Sequence, residues 1–192
     1  MADHGVELRA ASLADTHRVA AAVAAVFRAG DIVVLAGEMG AGKTAFAQGV
    51  GRALGITEPV TSPTFTLVHS YPVPESAGRG RFTLHHADLY RLDRTAEVAD
   101  LALNELAEDR GAVLIEWGDV VDTMFGDHLL VHLDADLDDD DLDAGPTDDG
   151  ATDDSADDFG LDAGRLITLA ASGGAWAGRW QALIAGMEDL RC

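Results

Sequence analysis

The pattern of apolar and polar positions divides this chain into alternating strands and helices. Val6 to Ala10 reads as a short edge strand. Ser12, with Asp15 three residues on, makes a capping-box-like start for a helix running to about Ala29, where Gly30 ends it. Ile32 to Leu35 is a short apolar run of the kind found in parallel sheets, and Phe46, Val50 and Leu54 then recur at helical spacing up to Gly55. Pro59 and Pro63 break Thr57 to Thr64 into a loop. Phe65 to Tyr71 alternates Phe65, Leu67 and His69 against Thr66, Val68 and Ser70, which predicts a strand. Phe82 to Ala87 predicts its antiparallel neighbour, across a loop from Pro72 to Gly80. The segment Thr95 to Arg110 reads as helix closed by Gly111, and Ala112 to Ile115 as a buried strand ending in Glu116. Leu129 to Leu133 and Arg165 to Ala171 read as the strands of a hairpin, and Trp176 to Leu190 as a last amphipathic helix.

Composition changes this picture in one place. Between the hairpin strands, Asp134 to Ala163 holds 14 aspartates and no basic residue, so removing it from a formal charge of −21 leaves −7, an ordinary soluble surface. So polar a stretch buries too little to repay its ordering entropy, and it is predicted to be a disordered insertion (134–163) in a single domain spanning 1–192. A calcium loop is disfavoured against a solvated tract, because Asp139 stands where the glycine turn is required and Gly145 where the bidentate glutamate is. The acidic balance also argues against this chain gripping nucleic acid by itself, since phosphate-backbone affinity needs clustered Lys and Arg. The single cysteine, Cys192, rules out an intramolecular disulfide and a thiolate zinc site. With the longest apolar run, Val19 to Phe27, too short to span a bilayer, a cytoplasmic protein without a membrane role is expected.

The chemistry concentrates between the first apolar strand and the helix after it. Gly37, Gly42, Lys43 and Thr44 fit G-x-x-x-x-G-K-S/T, the Walker A phosphate-binding loop. Glycines let backbone N–H groups close around phosphate oxygens, the helix N-terminus faces them, lysine reaches the β and γ phosphates, and the hydroxyl ligates Mg²⁺. Lys43 is the only lysine in the chain, against 12 arginines. The predicted class is therefore α/β: a P-loop NTPase fold whose mainly parallel central sheet is flanked by helices, with an added antiparallel hairpin. In such sheets ligands bind beyond the carboxyl ends of the strands, which nominates Asp88 and Glu116 to hold Mg²⁺ or orient an attacking water. Thr64 stands where switch loops place a hydroxyl that senses the γ-phosphate, and Trp117 either packs over the nucleotide or belongs to the core. His85 and His86 face opposite ways on a strand and cannot both chelate one metal. Arg91 and Arg94 either supply charge to a phosphoryl transition state or pair with carboxylates.

Taken in order, Gly40-Ala41-Gly42-Lys43-Thr44, Ser62-Pro63-Thr64-Phe65-Thr66-Leu67-Val68, His86-Ala87-Asp88-Leu89-Tyr90-Arg91-Leu92 and Ile115-Glu116-Trp117 resemble the bacterial TsaE (YjeE) family. The resemblance covers about residues 6 to 133 and 165 to 190. It implies a compact P-loop ATPase with weak intrinsic hydrolysis that uses ATP and Mg²⁺. It further implies action with two sugar-kinase-like subunits that place threonylcarbamoyl on adenosine 37 of tRNAs reading codons beginning with A, tRNA being met only indirectly. Under the same resemblance Lys43, Asp88 and Glu116 are catalytic, and Thr44 and Glu116 serve the magnesium. The nucleotide is met by Ser12, Met39, Gly40, Ala41, Gly42, Lys43, Thr44, Thr64 and Trp117, with the segment around Ser12 approaching the base. ATP binding and hydrolysis would reset the transfer complex between turnovers. Glu38-Met39 and Gly118-Asp119 depart from the family pattern, as does the Asp tract.

Two other classes fit the residues. A small-molecule kinase would use Asp88 as base, with Arg91 and Arg94 in a lid. An ATP-sensing adaptor would use the nucleotide only to order Thr61 to Thr66 for docking. A GTPase is disfavoured, since guanine recognition through N-K-x-D needs a second lysine.

Overall fold

The computed structural model describes residues 4–63, 65–75, 80–92, 95–118, 124–135 and 164–192. The described elements are β1 (His4–Ala10), α1 (Leu13–Val26), β2 (Ile32–Ala36), α2 (Lys43–Ala53), β3 (Val68–Pro72), β4 (Thr83–Asp88), α3 (Thr95–Asp100), α4 (Leu103–Glu108), β5 (Gly111–Glu116), β6 (His128–Ala135), β7 (Arg165–Ser172), α5 (Gly174–Ala177) and α6 (Trp180–Ile184). The strands form one sheet in the order β1-β7-β6-β2-β5-β4-β3. β6, β2, β5 and β4 are mutually parallel, while β7 and β1 add antiparallel on one edge and β3 on the other. This is the α/β, P-loop NTPase-like fold the sequence predicts.

Strand periodicity explains the layers. Val33 and Leu35 of β2, with Ala112 and Leu114 of β5, face a core shared with Val19, Val23, Phe46 and Val50 of α1 and α2. Their neighbours Ile32, Val34, Val113 and Ile115 face a second core with Leu103 and Ala107 of α4. Alternate residues of a strand point to opposite faces, so central strands apolar at every position are covered on both.

The boundaries differ from expectation where local chemistry intervenes. Ser12 caps α1 by accepting the Asp15 amide at 3.2 Å, but the helix ends at Val26. There Phe27 turns extended and the Asp31 carboxylate accepts the Arg28 amide at 2.7 Å. The strand predicted from Phe65 begins only at Val68, because the Pro63 carbonyl accepts the Thr66 and Leu67 amides at 3.1 and 2.7 Å and Leu67 turns to φ +65°. The single helix predicted over Thr95 to Arg110 is two, broken at Ala102 (φ +49°). The last helix is likewise α5, α6 and a 3-10 turn at Glu188–Leu190, with Gly178 closing α5 and Gly186 (φ +85°) after α6. β6 and β7 pair from His128↔Ser172 to Ala135↔Arg165, so the hairpin takes in Asp134 and Ala135, which the sequence pattern places in the insertion. The predicted disorder otherwise falls on 136–163, outside the described residues.

Candidate functional site

β2, β4 and β5 run parallel and end side by side, which sets the end of the sheet where the candidate residues gather. β2 stops at Ala36 and α2 starts at Lys43, so residues 37–42 must reverse the chain in a tight loop. Gly37 (φ +127°) has no room for a side chain, since a Cβ there would run into the Leu133 carbonyl of β6. Gly42 (φ +100°) caps α2, and a Cβ there would lie 2.5 Å from Arg165 Nε. L-residues avoid such φ values, so both positions call for glycine.

Lys43 is buried at 4% exposure, a placement lysine tolerates only with partners. Its Nζ donates to the Gly37 and Glu38 carbonyls at 2.7 Å each and lies 3.5 Å over the Trp117 ring centroid. Trp117 holds that position in a left-handed conformation (φ +61°), its amide donating to the Leu35 carbonyl at 3.0 Å. Tyr90 packs on its ring with centroids 4.9 Å apart.

Thr44, one residue on, donates its hydroxyl to both carboxylate oxygens of Glu116 at 3.0 and 3.1 Å. Glu116 Oε1 also pairs with His86 Nε2 at 2.9 Å, with both side chains buried. Sheet register makes this contact: His86 lies opposite Leu114, and Glu116 is two residues further along the same face of β5. Asp88, opposite Glu116 in register, is buried as well. Its two oxygens accept the Ser62 hydroxyl at 2.5 Å and the Tyr90 amide at 2.9 Å. Two buried carboxylates thus stand opposite each other in register, one of them on the Thr44 hydroxyl.

The structure therefore brings Lys43, Thr44, Asp88, Glu116 and Trp117 together with the loop residues Gly40, Ala41 and Gly42. Met39, also in the loop, is 69% exposed. Ser12 follows β1, whose Ala10 lies opposite Arg165, and Arg165 Nε donates to the Ala41 carbonyl at 3.0 Å, so Ser12 lies at the same end of the sheet. Thr64 and Arg94 lie outside the described residues. Arg91 stacks over the exposed Phe65 ring at 4.7 Å. His85 and His86 point apart as strand geometry requires; His85 meets Ser70 at 2.8 Å, and burial lowers its pKa.

Sequence reading missed the parts His86, Ser62 and Arg165 take. His86 shares a strand face with Asp88, a signal that could have exposed it, and Ser62 stands in a quoted motif. Arg165 reaches the loop across 124 residues, and no local pattern announces that. Burial lowers its pKa, though an arginine so shifted remains a cation.

The family model described as "Threonylcarbamoyl adenosine biosynthesis protein TsaE" matches residues 10–142, a span that holds all but one of these side chains, Arg165. The chain belongs to the TsaE family. Its relatives called "tRNA threonylcarbamoyladenosine biosynthesis protein TsaE" include those of Treponema pallidum and Streptomyces coelicolor. The first is 41% identical over 110 residues (57% of this chain and 76% of that protein), the second 40% over 119 residues (61% and 77%). The Bacillus subtilis protein of the same name is 38% identical over 108 residues, 56% of this chain and 63% of its own length. The crystal structure of Bacillus subtilis YdiB superimposes with a TM-score of 0.65 at 25% identity, covering 98% of this chain and 97% of that one. That likeness extends over β7 and the C-terminal helices, beyond the residues the TsaE family model matches. No helix among the described residues is long and apolar enough to cross a membrane.

Proposed function

We propose that this chain is a Mg²⁺-dependent ATPase that serves tRNA threonylcarbamoyladenosine biosynthesis, the process for which its relatives are named. The observation that carries the reading is the contact between Thr44 and Glu116, 3.0 Å apart at the start of α2, with buried Lys43 the residue before Thr44 in the same helix turn. A hydroxyl beside a buried carboxylate is a donor set that suits Mg²⁺, which takes few protein ligands and keeps several waters. Held by Thr44 and Glu116, the ion would neutralise charge on the phosphates.

The chain's own groups do the rest. Amides of residue 40 and residues 42–44, at the N-terminus of α2, receive the phosphate oxygens, and Lys43 exchanges the Gly37 and Glu38 carbonyls for them. His86 holds Glu116 in place from the neighbouring strand. Asp88, fixed by Ser62 and Tyr90, orients the attacking water and accepts its proton as the γ-phosphoryl group transfers. Trp117 and Tyr90 close one side of the site with aromatic surface. Turnover is coupled to two sugar-kinase-like subunits that carry out threonylcarbamoyl transfer, and hydrolysis resets that complex. The Ser62–Asp88 contact joins the 57–63 loop to the reacting centre, giving that loop a way to report nucleotide state.

ATP hydrolysis by the purified chain, alone and with the two presumed partner subunits and tRNA, tests this beside Lys43→Ala and Glu116→Ala. Partner-dependent turnover should vanish in both variants, while Glu116→Ala still binds nucleotide. Brisk unaided turnover, indifferent to partners, would overturn the reading in favour of a small-molecule kinase.

A further inference from the structure

We propose that Arg165 is a positioning residue of the phosphate loop, aiming the Gly42 amide at the nucleotide; the inference rests on the ATP reading above. Arg165 opens β7, paired on one side with Ala10 of β1 and on the other with Ala135 of β6, so its backbone is held in the middle of three strands. Its side chain is buried, and its Nε donates to the Ala41 carbonyl at 3.0 Å. The Ala41 amide is tied the other way, donating to the Glu38 carbonyl at 3.2 Å. Both peptide units flanking Ala41 therefore have a fixed orientation.

That fixing has a directional consequence. In a trans peptide the carbonyl and the following N–H point opposite ways. With the Ala41 oxygen turned to Arg165, the Gly42 N–H is turned away from Arg165. That is the arrangement a loop needs if its amides are to line an anion site at the start of α2. The arginine stem also packs where a side chain on Gly42 would stand, with Nε and Cδ at 2.5 and 3.2 Å from a built Cβ. Arg165 thus both orients the Ala41–Gly42 peptide and fills the space that the glycine leaves.

The test is ADP titration of the wild-type chain, Lys43→Ala, Arg165→Gln and Arg165→Lys, with amide NMR of Gly42 in the wild type. The Gly42 amide should shift and exchange more slowly on adding ADP. Arg165→Gln should bind ADP about tenfold or more weakly, the loss expected with a charge-assisted hydrogen bond, and Arg165→Lys should recover part of it. A merely structural arginine would lower the unfolding midpoint of Arg165→Gln and leave ADP affinity in the folded fraction unchanged; that result overturns the proposal. If Arg165→Gln does not fold, the wild-type spectrum decides, because a Gly42 amide unmoved by ADP overturns it equally. A wild-type chain that binds ADP no better than Lys43→Ala would fell the ATP reading itself. Wild-type binding with Arg165→Gln unaffected fells only the role of Arg165.

Discussion

Removing the Asp31 carboxylate should cost this fold heavily, and the losses of the two members of its ion pair with Arg179 should not add. Arg179, 8% exposed, makes a two-pronged contact with Asp31 at 2.6 and 2.7 Å. It also donates to the Val26 and Ala175 carbonyls and stacks on Trp176 at 4.4 Å. Asp31, 5% exposed, accepts the Arg28 amide as well, so the pair ties the C-terminal helices to the turn between α1 and β2. In Asp31→Ala the guanidinium stays buried with only two carbonyls for company. Stranding one charge of a buried pair costs about 3–5 kcal/mol. The two remaining acceptors argue for the lower half of that range. At about 2–4 °C per kcal/mol for a chain of this size, the unfolding midpoint should fall by about 6–16 °C. Asp31→Ala/Arg179→Met removes both charges and replaces the stem with an apolar one. It should be at least about 1 kcal/mol more stable than the sum of the single variants implies. Urea unfolding of the four proteins, followed by tryptophan fluorescence, measures all three differences. ADP affinity should not change, because Asp31 lies before β2 and the site beyond its far end, about 17 Å of strand away. A single-variant cost under about 1 kcal/mol, or strict additivity, would refute the reasoning.

Three further outcomes are expected. His86→Leu should lower ATP turnover by about tenfold or more through loss of the Glu116 contact while leaving ADP affinity intact, with His86→Gln recovering part of the rate; equal losses in binding and turnover would count against a role through Glu116. Stability should fall as pH drops below 6.5 toward the depressed folded-state pKa of His17. That pKa is lowered by burial and then by the charge of Arg52, so the unfolded chain binds the proton more readily. His17→Gln should flatten that slope between pH 7 and 5, which urea midpoints across pH will show. Deleting Asp136 to Asp162 should leave ATP hydrolysis and partner binding at wild-type levels in activity and pull-down assays, since the β6–β7 pairing is complete by Ala135 and Arg165.

What could be read from the chain in advance follows from the range of each interaction. The loop from Gly37 to Thr44 is contiguous, and its glycines, lysine and hydroxyl act on one ligand from one turn, so the sequence displays it whole. Ser12 and Asp15 are three apart and cap a helix by themselves. Where expectation failed, competition among local signals was settled by something distant or by a single backbone angle. Phe65 to Leu67 alternates like a strand but is captured by the Pro63 carbonyl. Ala102 takes a left-handed angle that nothing in its own side chain announces.

The site itself splits along the same line. Asp88 and Glu116 could be nominated because each ends a strand, a one-dimensional property. That Glu116 reaches Thr44 on one side and His86 on the other depends on β4, β5 and β2 lying adjacent and in a particular register, which no segment encodes alone. The hairpin that carries Arg165 is an extreme case: its two strands are separated by the acidic tract, yet pairing returns Arg165 to the loop it braces. A site of this kind has a legible part, in which one turn supplies several groups, and a supporting part assembled only by the sheet. Residues of the second kind, His86 and Arg165, carry buried polar groups into the site from neighbouring strands. Their loss should therefore act on the geometry of the legible residues rather than on any contact with the nucleotide.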